Sequence, residues 1–426
     1  MSERILLCLA HMSGREMDFI KEAFDDNWVV PLGPNVNGFE RDLEDFVNRR
    51  DGAEPLHKKV VALSAGTAAV HLALIACGVE PGDEVLVQSF TFCASSHPVT
   101  YLGATPVFID SEKESWNMDP ELLDEAIKDR IAKTGCKPKA IIPVALYGMP
   151  YQIDRILEIA DRYGIPVIED AAEGFGSMYK GQVLGTFGEY SVLSFNGNKM
   201  ITTSGGGALV CPDADKAREI LWYATQARES YPYYQHEAIG YNYRMSNICA
   251  GIGRGQMTIV DEHIAHHRHV QALYEELLKD VKGITMHTNP GPEYDSNYWL
   301  CTATLDPDLR IKGQENAYKQ IITGAVGGAA GVTHIVATAT TDCQPNDNVE
   351  ALRMALDAAN IESRPLWKPM HRQPVYRDNP AYTNGVSESL FRVGICLPAG
   401  PWVTDAHVRY IVDQIKAAID WNQIKD

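Results

Sequence analysis

The sequence predicts an α/β fold: a large domain with a mostly parallel sheet between helices, and a smaller α/β domain at the carboxyl-terminal end. Three observations lead there. Residues 60–212 alternate short apolar runs with helix-forming stretches. The runs are apolar throughout rather than at every second residue, as in strands covered on both faces. The length, 426 residues, exceeds what one core usually serves.

Taken in order, strands are expected at 60–63, 84–87, 106–109, 140–144, 166–168 and 190–195, each closed by turn residues. Helical patterns at 67–77, 119–133 and 153–163 supply the crossovers. A long helical stretch follows at 244–278, with room for a break near its middle, and helices at 349–359 and 405–421 sit among short strands. The domain change is placed near Gly255, giving domains 14–255 and 256–426. Residues 311–346, rich in Gly, Ala and Thr, read as an inserted loop or lid.

Composition narrows the function. Lys and Arg number 38 against 56 Asp and Glu, a formal charge of −18. A chain this acidic repels nucleic acid and anionic lipid, and its longest basic runs are pairs, Arg49-Arg50 and Lys58-Lys59. No apolar run is long enough to span a membrane, and the run at 5–10 is short for a signal peptide. The nine cysteines are scattered without a C-x-x-C pair, which fits reduced thiols and a cytoplasmic location.

Three stretches could carry chemistry. Ser64-Ala65-Gly66-Thr67 joins a strand to a helix, where small residues let phosphate oxygens reach the free N–H groups of the first turn. A plain helix cap explains the same residues. Glu169 and Asp170 end a strand, at the edge where open α/β sheets bind ligands. Successive strand residues face opposite ways, so the two are not a catalytic pair. A carboxylate there can serve a metal, a ribose or a protonated ring nitrogen, or merely cap a turn. Finally, the strand at 190–195 runs from Ser194 into Asn196-Gly197-Asn198-Lys199. A lysine amine is ordinarily charged and a poor nucleophile; burial or a neighbouring cation frees it for Schiff-base chemistry. A solvated surface lysine is the alternative. Together they offer a phosphate cup, an acid and an amine, the set that pyridoxal phosphate requires. Phe92 offers a flat face for a ring, although a lone aromatic is also a common core residue.

These stretches resemble the DegT-type nucleotide-sugar aminotransferases, fold-type I enzymes dependent on pyridoxal 5′-phosphate. The matching runs are SAGTAAVHLAL, GDEVLVQSFTF, GATPVFID, AIIPVALYG, PVIEDAAEGFGS, SFNGNKMITTSGGGALV and IGYNYRMSN. Residues 362–371, 394–400 and 31–35 are similar to enzymes of bacillosamine-type pathways. The resemblance implies that Lys199 is the Schiff-base lysine and Asp170 the partner of the ring nitrogen. It implies Gly66, Thr67 and Ser194 as phosphate ligands and Phe92 as the stacking residue. Asn242 would reach the phosphate of a neighbouring subunit's cofactor, which implies a homodimer. Glu173 stands near the cofactor where much of the wider family has His or Gln, and a second carboxylate there needs protonation or a cationic partner.

The implied reaction moves an amino group, with glutamate as donor, to carbon 4 of a UDP-linked 2-acetamido-2,6-dideoxy-4-keto-hexose. Arg364, Lys368 and His371 are expected to bind the diphosphate or uridine, with Asn35 and Arg244 as further substrate ligands. A 3-aminotransferase would share every cofactor residue, and a pyridoxal phosphate-binding regulator without turnover is the non-enzymatic alternative. A sugar dehydratase of the same fold is disfavoured by Lys199. His263, His266, His267 and His269 read as a solvated helix face, and no metal is expected.

Overall fold

The computed structural model describes residues 3–318, 322–325, 334–337 and 343–423. Two amino-terminal helices, α1 (Glu16–Asp25) and α2 (Pro34–Val47), precede the first strand, β1 (Lys59–Leu63). Helix α3 (Gly66–Ala76) leads to β2 (Glu84–Gln88), and the large domain continues through β3 (Thr105–Ile109), β4 (Ala140–Ile142), β5 (Ile168–Asp170), β6 (Tyr190–Ser194) and β7 (Gly207–Cys211). The sheet runs β1-β7-β6-β5 and β4-β2-β3, and parallel bridges Ile141–Val167 and Val144–Asp170 join the halves. All pairings are parallel except those of β7, which runs against both β1 and β6. The sheet is therefore mostly parallel, as expected. The fifth strand lies two residues later than the 166–168 expected, so Asp170 is its last residue.

The continuous apolar runs have a direct reading. Val60 and Ala62 enter one core while Val61 and Leu63 enter the other, so each strand serves two layers. Helices cover both faces. The one over Pro120–Thr134 starts on Asp119, which accepts the Glu121 and Leu122 N–H groups, and stops at left-handed Gly135.

The stretch 244–278 is two helices, Asn247–Met257 and Val260–Leu278, broken at Thr258-Ile259. Ser246 caps the first. Its glycines let it lie against α1 and α2: a Cβ at Gly253 would press into the Phe39 ring at 2.7 Å, and one at Gly255 into Glu16 at 2.8 Å. That is the role of the Gly251-Ile-Gly-Arg-Gly255 run.

The second core is a separate antiparallel sheet, Ile284–Met286, Cys301–Leu305, Gly394–Leu397 and Arg364–Pro365. The division falls later than Gly255. Val260 and Ile264 pack into the large domain, and Val270 onward into the small one. Two exchanges cross the boundary. Ile5 belongs to the small-domain core, and strand Ala381–Tyr382 extends the large sheet beside β3. Within 311–346, strand Ile322–Ala325 pairs antiparallel with His334–Ala337, and the rest of the proposed lid lies largely outside the described residues. No described helix is long and apolar enough to cross a membrane.

Candidate active site

The carboxyl ends of the parallel strands converge on one edge, and the three chemical stretches meet there. Ser194 ends β6 opposite Gly207, and Leu63 ends β1 opposite the same glycine. This brings Ser194 beside the start of α3, where a Cβ on Gly66 would lie 3.3 Å from the Ser194 Cβ. No side chain caps the α3 amino terminus; its N-cap is Ala65. The plain-cap reading of Ser64 and Thr67 therefore fails, and the first-turn N–H groups are left for an anion.

Asp170 is buried at the end of β5. Its Oδ2 accepts the Ser95 hydroxyl at 2.6 Å and its Oδ1 the Ala172 N–H at 3.1 Å. Thr91 Oγ1 stands 2.8 Å from Ser95 Oγ, extending the chain. Burial raises the Asp170 pKa, against those donors and the more distant Lys199 charge. A buried carboxyl with only neutral hydrogen-bond partners suits a cationic guest. Glu169 faces away, accepting from Gly185 N, Phe187 N and Ser191 Oγ. It pins the following loop and is not part of the site.

Lys199 is not a surface residue. Its Nζ lies 2.9 Å from Glu173 Oε1 and 3.9 Å from the centre of the Trp299 ring. Glu173 Oε2 accepts the Tyr147 N–H at 2.7 Å. Burial raises the Glu173 pKa, and the Lys199 ammonium opposes that shift. The cationic partner that a second carboxylate needed is Lys199 itself. Tyr147 holds φ at 54°, a left-handed value costing about 1–3 kcal/mol in a non-glycine residue. Its hydroxyl accepts the Trp367 N–H at 2.9 Å, so both ends of the residue are tied.

Beside Trp299 and the turn residues Asn196, Gly197 and Asn198 opens a cavity of about 870 Å³. Phe92 is 54% exposed on its wall, with its ring 5.3 Å from that of Trp367, so it is no core residue. Arg364 and Lys368 line the same cavity. Arg364 is partly neutralised by Glu362 at 2.9 Å.

Three expected substrate ligands are engaged elsewhere, and those expectations are corrected here. The Arg244 side chain, 8% exposed, grips both Glu40 carboxylate oxygens and the Ala62 carbonyl. Asn35 is buried, donating to Phe19 O and accepting from Arg254. His371 bridges Ser89 Oγ at 2.6 Å and Glu388 at 3.2 Å. In each, protein partners occupy the polar atoms a substrate would need. Asn242 is exposed, accepting from Gln226 Nε2 at 3.3 Å.

The histidines of the long helix are not a solvated face. His263 and His267 are buried, His266 is half-buried, and only His269 is exposed, 2.8 Å from Asp405. Among the described residues no group of three or more His, Cys, Asp or Glu side chains could hold a metal ion.

Sequence reasoning did not single out Ser95, Tyr147, Trp299 or Trp367. Ser95 follows the Phe92 motif closely, Tyr147 lies within the quoted AIIPVALYG run and Trp367 within 362–371, so those three had a local signal. Trp299 had none.

A model of the DegT/DnrJ/EryC1/StrS aminotransferases matches residues 11–323 and 314–416. The chain belongs to this family. It is 42% identical to EpsN of Bacillus subtilis, provisionally named a pyridoxal phosphate-dependent aminotransferase, over 95% of this chain and 93% of that one. It is 33% identical to the GDP-perosamine synthase of Escherichia coli O157:H7 over 95% of each. A crystal structure of a family aminotransferase from Brucella abortus superposes with a TM-score of 0.78, at 27% identity over 95% of each chain. The protein is an aminotransferase, and its cofactor is pyridoxal 5′-phosphate. The residues fit that group: an uncapped helix start beside Ser194 for the phosphate, buried Asp170 for a protonated ring nitrogen, and Lys199 for the aldehyde.

Proposed function

We propose that the enzyme transfers an amino group from glutamate to carbon 4 of a UDP-linked 2-acetamido-2,6-dideoxy-4-keto-hexose. One observation carries the reading. The turn that carries Lys199 lines, at Asn196, Gly197 and Asn198, a cavity whose walls are largely apolar, while Lys368 and Arg364 bring positive charge to it. Such walls suit a deoxysugar, and cations suit a diphosphate. The full-length relative named for a GDP-sugar product supports a sugar nucleotide as substrate. The similarity of residues 362–371 and 394–400 to bacillosamine-type enzymes supports the UDP-linked acetamido sugar.

When bound, pyridoxal phosphate supplies a carbonyl carbon that holds an amino group and a protonated ring that accepts an electron pair. The α3 amino terminus, with Gly66, Thr67 and Ser194, holds its phosphate. Asp170, kept in place by Ser95, holds the proton at the ring nitrogen, and Phe92 covers the ring. Lys199 Nζ takes up a proton as a base and returns it as an acid, with Glu173 beside it to balance its charge. Trp299 and Trp367 exclude water. Glutamate leaves as 2-oxoglutarate and the keto sugar leaves as an amino sugar.

We further propose a cytoplasmic homodimer in which exposed Asn242 reaches the partner's phosphate. The deciding experiment is mass spectrometry of products formed with glutamate and a panel of UDP-, GDP- and dTDP-linked keto sugars. A 4-amino UDP-acetamido sugar is expected, absent from Lys199→Ala. A 3-amino product, or turnover only with another nucleotide, refutes the substrate assignment.

A further inference from the structure

The segment before α1 is a strap. Ile5 pairs with Ile361, Leu7 N–H donates to Glu362 Oε2 at 3.0 Å, and Leu7 O accepts from Ala399 N at 3.0 Å. Leu6, Leu7, Cys8 and Leu9 thereby form one wall of the cavity. The Trp402 indole N–H then holds Ala10 O at 2.9 Å, and the strap reaches His11.

His11 Nδ1 lies 3.2 Å from His263 Nε2, and His263 Nδ1 lies 3.1 Å from the carbonyl oxygen of Met200, the residue after Lys199. A carbonyl only accepts, so His263 carries its proton on Nδ1. Its Nε2 is then a bare lone pair, and His11 Nδ1–H is the donor. The order of protons along the chain is thus determined. The His11 ring packs edge-on against Trp402, with centroids 5.3 Å apart.

A second tie runs in parallel. Gln256 Nε2 donates to His11 O at 2.8 Å, while Gln256 Oε1 accepts the Thr202 N–H at 3.3 Å. On the other side of the lysine, the Trp299 indole donates to Asn198 O at 2.7 Å. The turn bearing Lys199 is therefore gripped at residues 198, 200 and 202, and two of the three grips lead to the strap.

We propose that His263 and His11 are positioning residues for Lys199, joining the amino-terminal wall of the substrate cavity to the turn that carries the reactive amine. They touch neither substrate nor cofactor. They act through the Met200 carbonyl, so that wall and amine hold one register. This inference rests on Lys199 being the residue that captures the pyridoxal phosphate aldehyde.

The test strips the full chain of pyridoxal phosphate and follows recapture of the added cofactor by absorbance. His263→Ala removes the donor to Met200. His11→Phe keeps the ring against Trp402 and removes the donor to His263. Each is expected to slow capture about tenfold, the scale of a small misplacement of a reacting group. His263→Asn and His11→Asn restore an amide N–H near each Nδ1 and are expected to return capture to within about threefold of the parent. Capture at the parent rate by both His263→Ala and His11→Phe overturns the proposal, as do Asn variants no faster than these two. If thermal melting shows His263→Ala unfolded, the two His11 variants decide. Lys199→Ala is the control: capture at the parent rate there refutes the reading of Lys199 itself, whereas its failure alongside unaffected histidine variants sinks only the positioning role.

Discussion

At the scale of single residues, the site separates two buried carboxyls by what surrounds them. Glu173 faces an ammonium, whereas Asp170 faces a serine hydroxyl and a backbone N–H. The acid lacking a cation is the one suited to a ring nitrogen; the one with a cation balances the amine. Asp170→Asn, which keeps the shape and removes the charge, is expected to lower kcat by about a hundredfold or more, the range set by loss of a proton-holding group. Ser95→Ala removes only one hydrogen bond to that carboxylate, worth about 1.5–3 kcal/mol, so a loss of about ten- to a hundredfold is expected. Single-turnover measurement of the glutamate half-reaction checks both. Equal effects from the two would show that Ser95, rather than the Asp170 charge, dominates.

At the scale of elements, the phosphate cup depends on three chain segments meeting without side chains between them. Gly207 opens β7 directly against the start of α3, and a Cβ there would collide with the Gly66 nitrogen and the Ala65 carbonyl carbon. At Gly66 the added Cβ would come within 3.3 Å of the Ser194 Cβ, a tight contact that a shift of a few tenths of an ångström relieves, with no overlap of backbone atoms like that at Gly207. Gly207→Ala should therefore destabilise by about 1–3 kcal/mol, as overpacking does, and weaken cofactor retention. Gly66→Ala should do less. Urea unfolding and inorganic phosphate competition against pyridoxal phosphate read the two effects. A Gly207→Ala protein as stable as its parent would remove the steric argument.

At the scale of the whole molecule, the two domains are pinned across the site. His287, just after a small-domain strand, stacks on Trp116 of the large domain, with centroids 3.7 Å apart and planes within 4°. Its Nε2–H donates to Glu114 O at 3.1 Å. Burial holds its pKa down to about 4, and that of His267 down to about 3. An unfolded histidine titrates near ~6.5. Below that value the unfolded chain binds protons the folded one refuses, so stability is present above pH ~6.5 and lost as pH falls toward the folded values. Each histidine contributes a slope of about 1.4 kcal/mol per pH unit, or roughly 3 kcal/mol for His287 between pH 6.5 and 4. His287→Phe keeps an aromatic on Trp116 and removes the proton. Its urea stability should decline more gently with acid by about that slope. Parallel declines in the two proteins would show that His287 does not titrate on unfolding.

Short-range pattern alone determined much of this protein: the apolar runs of a doubly covered sheet, the helix starts and stops, and the positions of Lys199, Asp170 and the Ser64–Thr67 junction. Those signals are local, because strand periodicity, capping and turns are written within a few neighbouring residues. The long helix was legible, but its break at 258–259 and the inward-facing histidines were not, since their burial depends on what packs against them. Only the tertiary structure decided that Trp299 covers Lys199, that Glu173 is its counter-ion, and that the strap joins the site. It also showed Arg244 bound to Glu40, 204 residues away. A cationic side chain reads the same in sequence whether a substrate or a distant carboxylate will meet it. The folded chain chose the carboxylate because a buried charge must be paired, and the pair lies within reach only once α2 and β1 have packed.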